Sequence, residues 1–402
     1  MYHPVIEISN GEDIGDLRRF RDHWLKVQSD TLDRIESIRN DPWASGVFDV
    51  LLPRRIYPTP EGNYYLHNVL PLTTFRGQVC YEWGLQSSVE RSKTRFPPGY
   101  PMELRDLLCE MRIQEFRKMI EGTNRVRRWH SYDVPYPEGY RIRDGLLFDY
   151  RSVAQHYQIP TEIIDFTNNI DVALFFACTY YDQTDGRYHP VDEEWIEEHE
   201  YGAIFSSIPL FETTDHVPVD NEGSMFIPVQ PFGRPYLQSG YAMRPSEHVD
   251  FVTKRRFRHN ADFSRMIFDR FHGGKDIFPS EGLDWLVEEV RHIMGSRSFS
   301  DQSFEDSCSH LGFSREKSDE MIDLLKGYGY SIGRNAYSRS DREIASYESD
   351  WTVKGYLRDI GIGVPEHTIT ISMEDSRVLT LMDLKPKMQY IAGLYTMIYG
   401  TL

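Results

Sequence analysis

Between residues 155 and 177 the chain reads QHYQIPTEIIDFTNNIDVALFFA, and few arrangements accommodate that order. Pro160 pushes Ile159 out of the helical region, so a helix running up to Tyr157 must stop there. A short strand over 163–166 follows. Thr167 stands at its end, where its hydroxyl, or the neighbouring Asn168, can cap the next helix, and 172–177 is apolar enough to be a fully buried helix face. His156, Asp165, Thr167 and Asn168 interrupt this buried-looking run, and a strand end feeding a helix start is a common place for a site.

The surrounding pattern predicts an α+β fold: a mixed, mainly antiparallel sheet with packed helices, followed by a smaller helical C-terminal domain. Ile14, Leu17, Phe20, Trp24 and Val27 give 12–39 the spacing of a leading amphipathic helix, whose partner the sequence does not identify. Residues 64–75 read as strand and end in a turn at Phe75-Arg76-Gly77-Gln78. Helices are expected over 102–120 and 146–157, and an acidic insertion over 182–200 reads as a solvated loop or exposed helix. Strands are expected at 202–208, 224–230, 236–243 and 250–257, then helices at 262–271 and 282–294. Beyond Ser296, two short helices over 303–328, a helix over 347–360, a strand over 367–373 and an apolar helix over 388–399 complete the chain. The division expected is 1–60, an N-terminal helical segment; 61–295, the central domain; and 296–402, a mainly helical accessory domain.

Charge narrows the partners. With 45 basic and 62 acidic side chains in 402 residues the formal charge is −17, which disfavours broad binding to nucleic acid or an anionic membrane. The paired short helices after Ser303 have a helix-turn-helix rhythm, but the second carries Glu316, Asp319, Glu320 and Asp323, the wrong charge for phosphate. Cys80, Cys109, Cys178 and Cys308 form no CxxC pair, so no metal site is expected and reduced cytoplasm is the expected location. The longest apolar run, 391–399, is too short to span a bilayer, and the first residues lack a signal-peptide pattern. Neither a G-x-S-x-G nor a G-x-x-x-x-G-K motif occurs.

Four blocks together resemble the FRG domain family, named for its Phe-Arg-Gly motif. They are Phe75-Arg76-Gly77-Gln78 with Trp83, Gly84, Leu85, Ser88 and Arg91; the 155–177 stretch; Arg234 with Gln238, Gly240 and Tyr241; and Phe278-Pro279 with Gly282. The likeness spans about 70–290. Three positions depart from the family pattern: Gln158 replaces a glycine, Glu162 an arginine and Phe166 a tryptophan.

The order of elements is also similar to that of ADP-ribosyltransferases. This more distant resemblance implies an ADP-ribosyltransferase or NAD glycohydrolase, with NAD as substrate, acting as a toxin or defence effector on an unknown macromolecular target. It implies that Arg76 holds the pyrophosphate and Thr167 steadies the nicotinamide ribose. Gln238 stands where that family carries a glutamate, and a neutral amide stabilises developing positive charge far less than a carboxylate. Glu162 or Asp165 would then have to supply the charge.

Catalytic candidates are His156, Thr167 and Gln238, and cofactor-binding candidates are Arg76, Gly77 and Tyr241. Arg76 can present paired donors to an anion, with Gly77 letting a ligand approach the backbone, or it can be buried against an acid such as Asp165. His156 suits a general base or a packed histidine. Tyr241 can stack on a planar ligand from a strand shared with Gln238, or simply pair in the sheet. Arg125, Arg127 and Arg128 beside Trp129 and Tyr132 form the densest basic-aromatic cluster, with 254–258 second; each suits nucleotide guidance or an ordinary charged surface. The alternative to an enzyme is a non-catalytic module that binds a nucleotide or, through the C-terminal helices, a protein.

Overall fold

The computed structural model describes residues 7–38, 56–58, 64–66, 73–93, 96–132, 149–207, 224–226, 230–243, 251–279 and 281–360. Its strands, in chain order, are β1 (Glu7–Asn10), β2 (Ile56–Pro58), β3 (Tyr64–Leu66), β4 (Thr74–Gln78), β5 (Ile164–Thr167), β6 (Thr179–Asp182), β7 (Arg187–Pro190), β8 (Tyr201–Ser207), β9 (Ser224–Phe226), β10 (Gly240–Met243), β11 (Phe251–Arg258), β12 (Ser298–Phe299) and β13 (Ser331–Ile332). Seven of them form one sheet in the order β1-β11-β8-β4-β5-β10-β9. Only β1 and β11 run parallel in it, so the sheet is mixed and mostly antiparallel, within an α+β chain.

Alternation along the central strands buries both faces. Ile204 and Phe75 join a cluster with Ile170, Leu174 and Phe175 of the helix Ile170–Cys178, with Phe263 and Ile267 of Ala261–Arg270, and with Leu17 of Leu17–Ile38. Ala203 and Phe205 instead pack with Ile164, Phe166, Tyr241 and Val252. The leading helix thus finds its partner on the sheet: Trp24 meets Phe75 edge to face at 4.9 Å. Arg21 and Arg270 both pair with the buried Asp171, at 3.1 and 2.8 Å.

A second apolar cluster is built mainly from helices. Leu104, Leu107, Met111 and Phe116 of Met102–Glu121 pack with Val153 and Ala154 of Tyr150–His156, and also with Phe304, Met321, Leu325 and Ile344 from beyond Ser296. Glu115, fully buried, accepts from Ser300 N (2.6 Å) and Ala336 N (3.0 Å), and so ties the later segment to the long helix. The paired helices expected over 303–328 occur as Asp301–His310 and Arg315–Gly327.

Several expectations are corrected. The Phe75-Arg76-Gly77-Gln78 quartet is the body of β4 and not a turn. The 236–243 region is a short helix, Gly233–Leu237, followed by β10, so Gln238 and Tyr241 do not share a strand; Pro235 fits the first turn of that helix. In the acidic 182–200 segment, β7 pairs with β6 where a loop is one expectation, while the other, an exposed helix, is met at Glu193–Glu198, where Trp195 N donates to Asp192. The 347–360 helix is confined to Val353–Asp359, preceded by the separate helix Asp341–Ser346. The predicted elements at 367–373 and 388–399 lie outside the described residues.

Candidate functional site

Gly77 explains its own identity. A Cβ there would lie 1.9 Å from the Ala173 carbonyl oxygen and 2.6 Å from Ala177 N, so β4 and the helix Ile170–Cys178 touch backbone to backbone. The close approach expected from a ligand is made instead by this helix. Beyond the single register pair Phe75–Thr167, β4 and β5 part, and Arg76 Nη1 donates to the Asp165 carbonyl at 2.7 Å.

Asp165 gathers the family blocks. Gln155 Nε2 donates to Asp165 Oδ2 at 3.0 Å, while Gln155 Oε1 accepts from Thr161 Oγ1 at 2.7 Å and from the Ser88 hydroxyl. Ser88 in turn accepts from Thr161 N at 2.9 Å. Residues far apart in sequence thereby hold one another through a short polar chain, which fixes the Asp165 carboxylate relative to Arg76.

His156, 8 % exposed, ends the helix Tyr150–His156. Burial, the largest influence, lowers its pKa below the usual 6.5, opposed by Asp165 and by a hydrogen bond with the Gln238 side chain, and assisted by Arg234. Burial therefore favours the neutral imidazole over the charged one. Arg234 lies over the Tyr157 ring at 4.3 Å and donates to the His156 carbonyl at 3.3 Å. Burial also lowers the Arg76 pKa to about 10, with the nearby Asp165 opposing. The Tyr188 phenol, raised by burial, is influenced by Arg76, Arg234 and Asp165 together.

In this neighbourhood four buried polar atoms have no hydrogen-bond partner: Arg76 Nε, Arg234 Nε, His156 Nε2 and Asp165 Oδ1. Such atoms each cost about 1–3 kcal/mol when unmatched, so two donors, an acceptor oxygen and an imidazole nitrogen in one neighbourhood mark a place where an incoming polar group would be favoured.

The remaining sequence candidates are internally satisfied. Thr167 does not cap the helix; Asn169 does, accepting from Asp171 N at 3.0 Å. Thr167 Oγ1 donates to Gln238 O at 2.7 Å and accepts from Asn169 N at 3.0 Å. Gln238 Nε2 donates to Ile277 O at 3.1 Å. Tyr241 packs in the sheet core, 2 % exposed. Glu162 accepts from Arg151 Nη1 at 3.1 Å. Within the basic-aromatic cluster Arg125 is buried, paired with Glu281 at 2.9 Å and with Glu348, Trp129 is buried and Arg128 donates to Ser349 O, while Arg127 is exposed. Sequence reasoning placed Arg234 in a family block without giving it a role; its guanidinium gained significance only once folding set it above Tyr157. An open cavity of about 350 Å³ lies beside the 167–169 turn, lined by Asn169, Asp171, Leu237, Arg270, Phe271, Asp276 and Ile277.

No helix among the described residues is long and apolar enough to cross a membrane. No curated protein and no solved structure matches the chain. Residues 72–186 match the family model of the FRG domain, a stretch that runs from β4 to the β6–β7 hairpin and contains Arg76, Ser88, Gln155, His156, Asp165 and Thr167. The third and fourth sequence blocks, including Arg234, fall outside the matched residues, and what the match gives is that this chain carries an FRG domain.

Proposed function

We propose that the FRG domain binds a nucleotide bearing a pyrophosphate, with NAD as the first ligand to try, and that Arg76 and Arg234 receive its phosphate oxygens. The observation that carries this reading is the pair of buried, unmatched guanidinium Nε atoms beside His156 Nε2 and Asp165 Oδ1. A guanidinium whose charge is disfavoured by burial gains from an incoming anion. Thr167 contributes less than the resemblance implies, because its hydroxyl hydrogen is engaged by Gln238 O.

One observation favours turnover as a second reading. Asp165 keeps one buried carboxylate oxygen unmatched while Glu162 is engaged by Arg151, so Asp165 is the better source of the negative charge that Gln238 lacks. In NAD hydrolysis water adds to the ribose C1′, nicotinamide leaves with the electrons of the glycosidic bond, and a proton is released, for which neutral His156 is an acceptor. Transfer to a macromolecular acceptor replaces the water by an acceptor nucleophile. Consumption of NAD is the sense in which the chain would be a toxin or defence effector.

Titration calorimetry with NAD, coupled to an assay for released nicotinamide, separates the readings. Saturable binding is expected, weakened by Arg76→Ala about tenfold to a hundredfold, the loss of one charge-assisted hydrogen bond. Nicotinamide release that disappears in Asp165→Asn supports turnover, and binding without release supports a sensor. Absence of any binding by protein with an intact circular-dichroism spectrum would sink the proposal.

A further inference from the structure

The segment that delivers Arg234 to this site is gripped from the C-terminal side. Tyr356 donates its hydroxyl to Gln230 O at 2.6 Å, and Arg125 Nη1 donates to Pro231 O at 3.1 Å. Gly233 N donates to Glu281 Oε2 at 2.9 Å, and the opposite oxygen of Glu281 accepts from Tyr157, the ring beneath Arg234, at 3.3 Å. Glu281 is held by Arg125 at 2.9 Å, and Arg125 is held in turn by Glu348, whose Oε2 accepts from Nε at 3.1 Å. Phe232 and Trp351 flank the Arg125 guanidinium at 5.5 and 5.6 Å.

Both carboxylates of this triad stand on left-handed backbone, Glu281 at φ 49° and Glu348 at φ 58°. For residues other than glycine that conformation is costly, and it persists where surrounding contacts over-determine it. Here the contacts are the two halves of one buried ion triad. Each Glu281 oxygen also serves the ligand seat directly, one through Gly233 and the other through Tyr157. Glu281 is therefore a positioning residue: it acts on Arg234 and Tyr157 without touching the unmatched atoms.

We infer that the segment 348–356 regulates the FRG-domain site, with Glu348 and Tyr356 holding Arg234 in its binding position through Arg125, Glu281 and the strap 230–233. This rests on the nucleotide-binding reading for its ligand, but the mechanical link can be measured without one. A partner or modification that draws 348–356 away would leave Arg125 with Glu281 alone and take the Tyr356 hydroxyl from Gln230 O; the Gln230 side chain stays held by Asp149 N and Ser152 Oγ, so the loosening falls on the backbone between it and Arg234.

The test uses the full chain, with Glu348→Gln, Tyr356→Phe and the control Asp359→Asn, which lies on the same helix outside the network. Amide hydrogen exchange reports the link directly: Gly233 and Arg234 should exchange about tenfold faster in Glu348→Gln and severalfold faster in Tyr356→Phe, with Asp359→Asn unchanged. Titration with NAD should show a parallel weakening of about tenfold and a few-fold. Unchanged exchange at Gly233 in both variants overturns the inference whatever the titration shows. Altered exchange with no NAD binding by the unsubstituted protein supports the link and overturns the nucleotide reading alone. Should Glu348→Gln fail to fold, Tyr356→Phe, which keeps the ring, gives the same decision.

Discussion

Two buried arginine neighbourhoods lie within this one fold, and they differ in whether their polar atoms are matched. Around Arg151 and Arg125 the guanidinium nitrogens meet Glu110, Glu162, Glu281 and Glu348, and none of their nitrogens is buried without a partner. Around Arg76 and Arg234 the nitrogens meet backbone carbonyls, and an Nε of each is left over beside a half-free carboxylate and a neutral imidazole. Residue type and burial alone do not separate a structural arginine from a binding one. What sets Arg76 and Arg234 apart is that their unmatched Nε atoms stand near the unmatched atoms of His156 and Asp165, whereas Arg112, whose Nε is also unmatched, holds its guanidinium over the Phe96 ring.

The comparison is most exposed to failure in stability. Arg151→Ala takes the two-pronged guanidinium from the buried Glu110, leaving it Gln114 Nε2 and the more distant His310, and should cost about 3–5 kcal/mol in urea unfolding. Arg76→Ala loses one hydrogen bond to a carbonyl, so about 1–2 kcal/mol is expected, while ligand binding falls far more. Equal stability losses would erase the distinction drawn between the two neighbourhoods.

A smaller effect comes from pH. His156 binds its proton more weakly folded than unfolded, where the usual value is 6.5, so the unfolded chain takes up more protons as pH falls. Stability from this residue is complete above about pH 6.5 and is lost as pH drops toward the lowered folded value. His259, lowered chiefly by burial, acts in the same direction. Unfolding measured between pH 7.5 and 5 should show this decline, and His156→Gln should flatten part of it; an unchanged slope would mean that the imidazole is not buried neutral.

The smallest effect concerns the turn between the neighbourhoods. Gln158 adopts φ 70°, the left-handed conformation that glycine takes without strain. Gln158→Gly should therefore raise stability by about 0.5–1 kcal/mol and the thermal midpoint by a few degrees at most. A loss of stability would point instead to a side-chain role for Gln158.

Much of the scaffold was legible in sequence. Apolar periodicity located the long helix at Met102–Glu121 and the later pair at Asp301–His310 and Arg315–Gly327, since each buries one face along a regular repeat. The quartet at Phe75 reads as a turn in sequence, whereas what demands its glycine is the backbone of a helix 96 residues later, at Ala173. Gln238 follows a helix and not a strand, since the apolar run around Tyr236 does not by itself distinguish a short helix from a strand. The family blocks did bring Arg76, Gln155, Asp165 and Ser88 to attention. What no single sequence discloses is which of their hydrogen bonds folding completes, because that depends on partners as distant as Ser88 and Thr161.

The 155–177 stretch passes through three apolar environments in succession. Tyr157 and Ile159 lie in the helical cluster, Ile164 and Phe166 on one face of the sheet, and Ile170 to Ala177 on the other. Neither the helical body nor the sheet can therefore melt while the other keeps its full complement of side chains. The described part of the chain should lose structure in one cooperative transition, and strain introduced near the C-terminal helices should surface as faster opening of the sheet.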